Sequence, residues 1–321
     1  MQLIKDLQSE ISAALENYSL PIEPVGLNEP IEYILSIGGK RIRPLLVLIA
    51  NEMFRGDRSS ALPPALALEL FHNFTLMHDD IMDEAPLRRG KPTVHCMYDT
   101  NTAILSGDVM LIYAYQLLQG LDQSKFHRVF TSFNDSAVKV CEGQQFDMNF
   151  ETKEKVEIDD YLKMIELKTA VLLGCSLQVG AIMGGATEEE DKKLYEFGRN
   201  IGIAFQIQDD ILDVYGGNDF GKQTGGDIIQ NKKTLLLLLA QQNANPTQAS
   251  HLQKWIDVID FDPDEKVQAV TALYNEIGVR EMAEKEMEHY NNKAFSYLDG
   301  LDVISKEPLE YISAKLLKRV I

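Results

Sequence analysis

Apolar residues recur at intervals of three and four along almost the whole chain, as in Leu66, Leu70, Phe74 and Met77, while the period-two alternation of a half-buried strand is scarce. That spacing gives many helices one apolar stripe each, so the chain can bury itself only by packing helix on helix. An all-α fold is expected. Glycine and proline punctuation falls at Gly38-Gly39, Gly56 to Pro64, Arg88 to Pro92, Gly184-Gly185, Tyr215 to Gly226, Asn243 to Pro246 and Phe261 to Pro263. None of these stretches reads as an interdomain linker, so residues 1–321 are expected to form a single-domain helical bundle.

Two aspartate clusters of the same form interrupt this pattern: Asp79-Asp80-Ile81-Met82-Asp83 and Asp209-Asp210-Ile211-Leu212-Asp213. Residues four apart share a helix face, so Asp79 with Asp83, and Asp209 with Asp213, each project a carboxylate pair to one side. Apolar flanks, Phe74-Thr75-Leu76-Met77 and Ile203-Ala204-Phe205, place the acids at the mouth of a buried groove. Carboxylates packed this way repel one another unless a cation lies between them. Magnesium suits: it prefers oxygen ligands, keeps several waters, and shares its coordination between a few carboxylates and a substrate's phosphates.

The formal net charge is −18, which excludes nucleic acid and anionic membrane as general partners, since both require a basic face. Cys96, Cys141 and Cys175 are widely spaced and form no CxxC pair, so neither a disulfide framework nor a zinc site is expected. Residues 1–18 lack the apolar core of a signal peptide, and no apolar run is expected to reach the ~18 residues of a membrane span. A cytoplasmic protein without stable membrane insertion is expected.

Any phosphate must then be met by local positive charge. Gly38-Gly39-Lys40-Arg41-Ile42-Arg43-Pro44 sets a glycine pair before a run of cations, a plausible diphosphate cradle in which Lys40 and Arg43 grip oxygens, Arg43 by a bidentate fork. Each aspartate cluster also leads into a loop carrying glycine and base, Leu87 to Pro92 and Gly221 to Thr224. His72 lies two turns before Asp79 on nearly the same face and is expected in the same cavity, while the neighbouring His78 is expected to be structural. Gln206 shares the face of Asp209 and Asp213.

Together, Gly39 to Pro44, the first DDxxD followed by Arg88 to Thr93, the Lys168-Thr169 pair, and Phe205 to Asp213 resemble the trans-prenyl diphosphate synthases of the polyprenyl synthetase family, in matching order from about residue 36 to 234. The resemblance implies an isoprenoid-synthase helical bundle with a central cavity, and a homodimer, for which residues Ala103 to Leu118 could supply a helix face. It implies that Asp79, Asp83 and Asp209 hold three magnesium ions, supported by Asp80, Asp210 and Asp213. Arg88, Lys168, Lys222 and Lys232 match positions that hold the allylic diphosphate; Lys40, Arg43, His72 and Arg89 match those that hold isopentenyl diphosphate. Lys222 falls one residue nearer the second cluster than in many relatives.

The implied reaction breaks the allylic C–O bond, joins the cation to the isopentenyl double bond and releases diphosphate, with Thr169 and Gln206 steadying the cation. Product length is expected to be set below Asp79 by Thr75, which is small, and Phe74, which is bulky, with Phe71 one turn further. An aromatic at the fifth position before the cluster, with no insertion inside it, implies C15 to C20 products, C20 slightly favoured. Rivals are an HD-type metal phosphohydrolase, for which matching histidines are missing; a non-catalytic partner subunit, which would lose aspartates that this chain retains; and a terpene cyclase, which usually lacks the Gly-Lys-Arg-x-Arg-Pro loop.

Overall fold

The structure is a computed structural model that describes residues 2–21, 23–216 and 225–318. Its helices, in order, are α1 (Gln2–Glu16), α2 (Val25–Ser36), α3 (Ile42–Met53), α4 (Arg58–Met82), α5 (Val94–Met97), α6 (Thr100–Gln119), α7 (Gln123–Thr152), α8 (Ile158–Ile165), a π-helical turn Glu166–Ala170, α9 (Val171–Gly184), α10 (Glu188–Tyr215), α11 (Gly226–Ile229), α12 (Leu235–Asn243), α13 (Pro246–Asp257), α14 (Pro263–Ile277), α15 (Val279–Ser296) and α16 (Glu307–Lys318). The period-three-to-four reading is thus borne out. Local chemistry fixes several starts: Asp57 accepts from the Ser59 N–H to cap α4, and a reciprocal Thr187/Glu190 box opens α10.

Helix α4 packs against α3 and α6, while α9 lies between α3, α7 and α10. The buried apolar residues form two clusters, and α10 enters both: Leu194, Phe197 and Ile201 belong to the first, Ile203, Ile207 and Ile211 to the second. The segment Ile158–Gly184 is long and apolar enough to cross a membrane by length and composition, a feature the sequence reading missed because it spans several apolar stretches. It is mostly buried inside the molecule, as a core helix is.

Both aspartate clusters lie at helix C-termini. Asp79 and Asp80 sit in the last turn of α4 with Asp83 as its C-cap, and Asp209, Asp210 and Asp213 occupy the last two turns of α10. Carboxylates at the negative end of a helix dipole are destabilised there, which sharpens the need for cations at both places.

Candidate active site

A cavity of about 250 Å³ opens between α4, α7 and the π-helical turn. Its walls include Arg43, His72, Phe74, Thr75, His78 and Asp79 from one side and Val140, Gln144, Met148, Lys168, Thr169 and Leu172 from the other. Apolar and aromatic groups therefore share one chamber with a carboxylate and cations. The close approach of α7 to the π turn depends on Gly143, where a Cβ would lie 2.2 Å from the Lys168 backbone nitrogen.

Around the first cluster, the three acids have separate surroundings. Asp80 is buried, and both its oxygens accept from Arg88, Nε at 2.8 Å and Nη2 at 2.7 Å. This fork comes from a two-residue hairpin, Leu87–Arg88 paired with Lys91–Pro92, whose turn residues Arg89 and Gly90 both have positive φ. Asp79 faces Lys168 Nζ at 3.3 Å, with Arg88 Nη2 at 3.8 Å. Lys168 also donates to Asp147 at 2.6 Å. Burial works against the Lys168 ammonium, but Asp79 and Asp147 outweigh it and hold its pKa above the ordinary value. Asp83 is exposed, and its carboxyl is raised by partial desolvation and then by the charge of Asp79, with Lys168 and Lys232 opposing. Lys232, which follows the second cluster, thus exerts its field on the first.

At the second cluster, Asp210 is buried and accepts from the Tyr161 hydroxyl and from the Leu235 N–H at 3.1 Å. Burial pushes its carboxyl up to about 7, aided by the charges of Asp227 and Asp209 and opposed by the two hydrogen bonds. Asp213 accepts from the Asp227 N–H at 3.0 Å, and Asp209 is half-buried beside it. Lys232 is exposed, 3.9 Å from Asp227. Lys222 lies outside the described residues.

The glycine-cation loop divides its arginines. Arg41 pairs with buried Glu69 and donates to the Leu35 carbonyl, so it holds the fold, while Lys40 is exposed. Arg43 lines the cavity with its Nε unpartnered, its guanidinium pushed down to about 10 by burial and by Arg89 against the pull of Glu69. His72 beside it is held well below the usual imidazole value by burial and then by Arg43, Arg89, Arg88 and Arg41. Arg89 donates to the Gly38 carbonyl and is itself lowered, by burial and by Arg41 and Arg88. Cations that depress one another in this way create a site for an anion.

Thr169 Oγ1 and Gln206 Oε1 meet at 3.5 Å, joining the π turn to α10. Phe74 is 8% exposed and lines the cavity, as does Thr75, whose hydroxyl donates to the His72 carbonyl. Phe71 is fully buried behind Phe74, ring centroids 5.7 Å apart, and does not reach the cavity.

Several residues escaped sequence reading. Asp147 and Gln144 lie on α7, three apart and on one face, and that spacing was the available signal. Tyr161 and Asp227 approach the second cluster from α8 and α11. His78, expected to be structural, lines the cavity while its ring contacts the Ile104 carbonyl.

No three His, Cys, Asp or Glu side chains among the described residues converge as an all-protein metal cage. Paired carboxylates that leave most coordination positions to water and phosphate are what magnesium takes, so the donor set fits that ion.

The polyprenyl synthetase family matches residues 24–277. The chain is 35% identical over 313 residues to the geranylgeranyl diphosphate synthase of Methanosarcina mazei, covering 95% of this chain and 92% of that one. It is 34% identical over 313 residues to the geranylfarnesyl diphosphate synthase of Aeropyrum pernix, covering 94% and 96%. A crystal structure of a geranylgeranyl pyrophosphate synthase superimposes with a TM-score of 0.93 at 43% identity, covering 98% of each chain.

Proposed function

The chain belongs to the polyprenyl synthetase family of prenyltransferases, and we propose that its cavity condenses isopentenyl diphosphate with an allylic diphosphate to give a C15–C20 product, C20 favoured, with release of diphosphate. The observation that carries this reading is one chamber lined both by an apolar wall, Phe74, Val140 and Leu172, and by Asp79, Lys168, Arg43 and His72. Such a chamber suits a hydrocarbon tail with a charged head.

Asp79, Asp83 and Asp209 would hold magnesium, three ions by the family resemblance, with Asp213 and Asp227 beside the last. Bound there, the metal supplies charge neutralisation of the diphosphate leaving group. Asp80 acts by locking Arg88, whose Nη2 also lies 3.8 Å from Asp79. Lys168, held cationic by Asp79 and Asp147, stabilises the departing diphosphate together with Lys232 and Lys222. Arg43, which lines the cavity, orients the isopentenyl diphosphate together with Arg89, Lys40 and neutral His72. The hydroxyl and amide dipoles of Thr169 and Gln206 steady the allylic cation while the apolar wall excludes water. The isopentenyl double bond then attacks, and the proton lost from the adduct goes to the released diphosphate.

The same proposal makes the chain one functional unit, since α10 carries the second cluster and spans both cores. It makes the protein a cytoplasmic homodimer, joined through Ile104, Leu105 and Ile112 of α6 and Val138 of α7, all exposed and apolar. Diphosphate release measured with both substrates, with each alone, and with magnesium chelated tests the reading. Release should require both substrates and the metal; release from one substrate alone would favour hydrolysis.

A further inference from the structure

His78 follows Met77 on α4 and precedes Asp79, and its ring closes one side of the cavity against Phe74, centroids 4.8 Å apart and edge to face. Its Nε2–H donates to the Ile104 carbonyl of α6 at 3.1 Å. The ring can lie there only because residue 107 is glycine: a Cβ at Gly107 would fall 2.3 Å from His78 Nε2, 2.6 Å from Cδ2 and 3.3 Å from Cε1. Phe74, on the other side of the imidazole, is backed by Phe71 at 5.7 Å, which meets Phe133 at 5.4 Å, which meets Tyr115 at 5.3 Å. Tyr115 is anchored through its hydroxyl to Asn134 at 3.0 Å. The aromatic wall is thus a file of rings fixed at both ends, by the α6 backbone under His78 and by Asn134 under Tyr115.

We infer that His78, parked against Gly107, is a specificity-determining residue that sets the cavity's width and hence product length together with Phe74. The inference rests on the prenyl-elongation reading of the site. A methyl group at position 107 strikes two ring atoms and crowds a third, so the imidazole must move. The α6 backbone blocks retreat, and Phe74 cannot yield because the rings behind it are packed. The imidazole therefore enters the cavity and narrows it. Removing the imidazole does the reverse, widening the chamber and releasing one side of Phe74.

Product chains from isopentenyl and dimethylallyl diphosphates, read by chromatography at matched turnover, test this in wild type, Gly107→Ala, His78→Ala and the double variant. Gly107→Ala should shift the principal product shorter by one isoprene unit, and His78→Ala should shift it longer by one. In the double variant the methyl meets no ring, so its ladder should match that of His78→Ala. A Gly107→Ala shift that persists unchanged in the His78→Ala background, or a His78→Ala ladder identical to wild type, overturns the inference. Should Gly107→Ala alone fail to fold, His78→Ala and the double variant, which lacks the clash, carry the test. A wild-type protein that makes no prenyl product would defeat the elongation reading itself, whereas elongation with ladders unmoved by either substitution would defeat only this inference.

Discussion

Replacing Phe74 with alanine is the perturbation whose consequences the structure fixes most fully. The side chain is 8% exposed and held between the His78 ring at 4.8 Å and the Phe71 ring at 5.7 Å. Phe→Ala in a sealed core costs about 3–5 kcal/mol, made of lost burial and the cavity left behind. Here the vacated space, roughly 100 Å³, joins a cavity already present rather than creating a closed void, so the low end, about 3 kcal/mol, applies. For a chain of this size that corresponds to a fall in Tm of about 4–5 °C, which leaves the protein folded at assay temperature. Six ring carbons leave and an isoprene unit brings five, so the enlarged chamber admits about one more unit. With isopentenyl and farnesyl diphosphates as substrates, chromatography should show the principal product moving from C20 to C25. A ladder unchanged from wild type, in a variant that melts as a folded protein, would remove Phe74 from the floor of the cavity and refute the reasoning.

Asp80→Asn removes the charge of a buried carboxylate and turns one of its two acceptors into a donor facing Arg88, so stability should drop by about 2–4 kcal/mol in denaturant titration, with turnover falling as well because Arg88 loses its orientation. Asp79→Asn and Asp209→Asn should each abolish turnover while circular dichroism remains helical; retained activity in either would defeat its assignment to metal. Because burial and four arginines hold the His72 pKa below its ordinary value of 6.5, the unfolded chain binds a proton that the folded one does not as pH falls past that value. Stability should therefore be fully present above pH 6.5 and be lost as pH falls toward the folded pKa. Chemical denaturation across that range should show a flatter profile for His72→Asn, and equal slopes would show that His72 is not neutral in the folded protein.

Helical periodicity made the all-α architecture legible, and the same periodicity placed Asp79, His72 and Phe74 toward one chamber, while Asp83 caps α4 at the exposed end. Several helix ends were legible too, at Gly184-Gly185, Asn243 to Pro246 and Phe261 to Pro263, whereas Gly56 to Pro64 is not a break: α4 starts at Arg58 and carries Pro63 and Pro64 in its first turns. What escaped depends on contacts between distant segments. Nothing near Asp80 in sequence showed that both its oxygens would be taken by Arg88; that follows from the backbone of Arg89 and Gly90, which turns the hairpin back onto α4. Asp147 carries no motif of its own, and only the approach of α7 at Gly143 brings it to Lys168. The π turn that displays Lys168 and Thr169 has no apolar periodicity distinct from that of an α-helix. His78 looked like a core histidine because half its environment, the α6 backbone, is supplied from elsewhere in the chain.

The proposed function requires both aspartate clusters to serve a single chain-elongation site. Purified protein incubated with magnesium, isopentenyl diphosphate and, in turn, the C5, C10 and C15 allylic diphosphates tests it most directly by product chromatography. Elongation of the allylic primers to a product no longer than C20, one diphosphate released per unit added, is the predicted result. Free prenyl alcohols, cyclised hydrocarbon, or no turnover with any primer would contradict it.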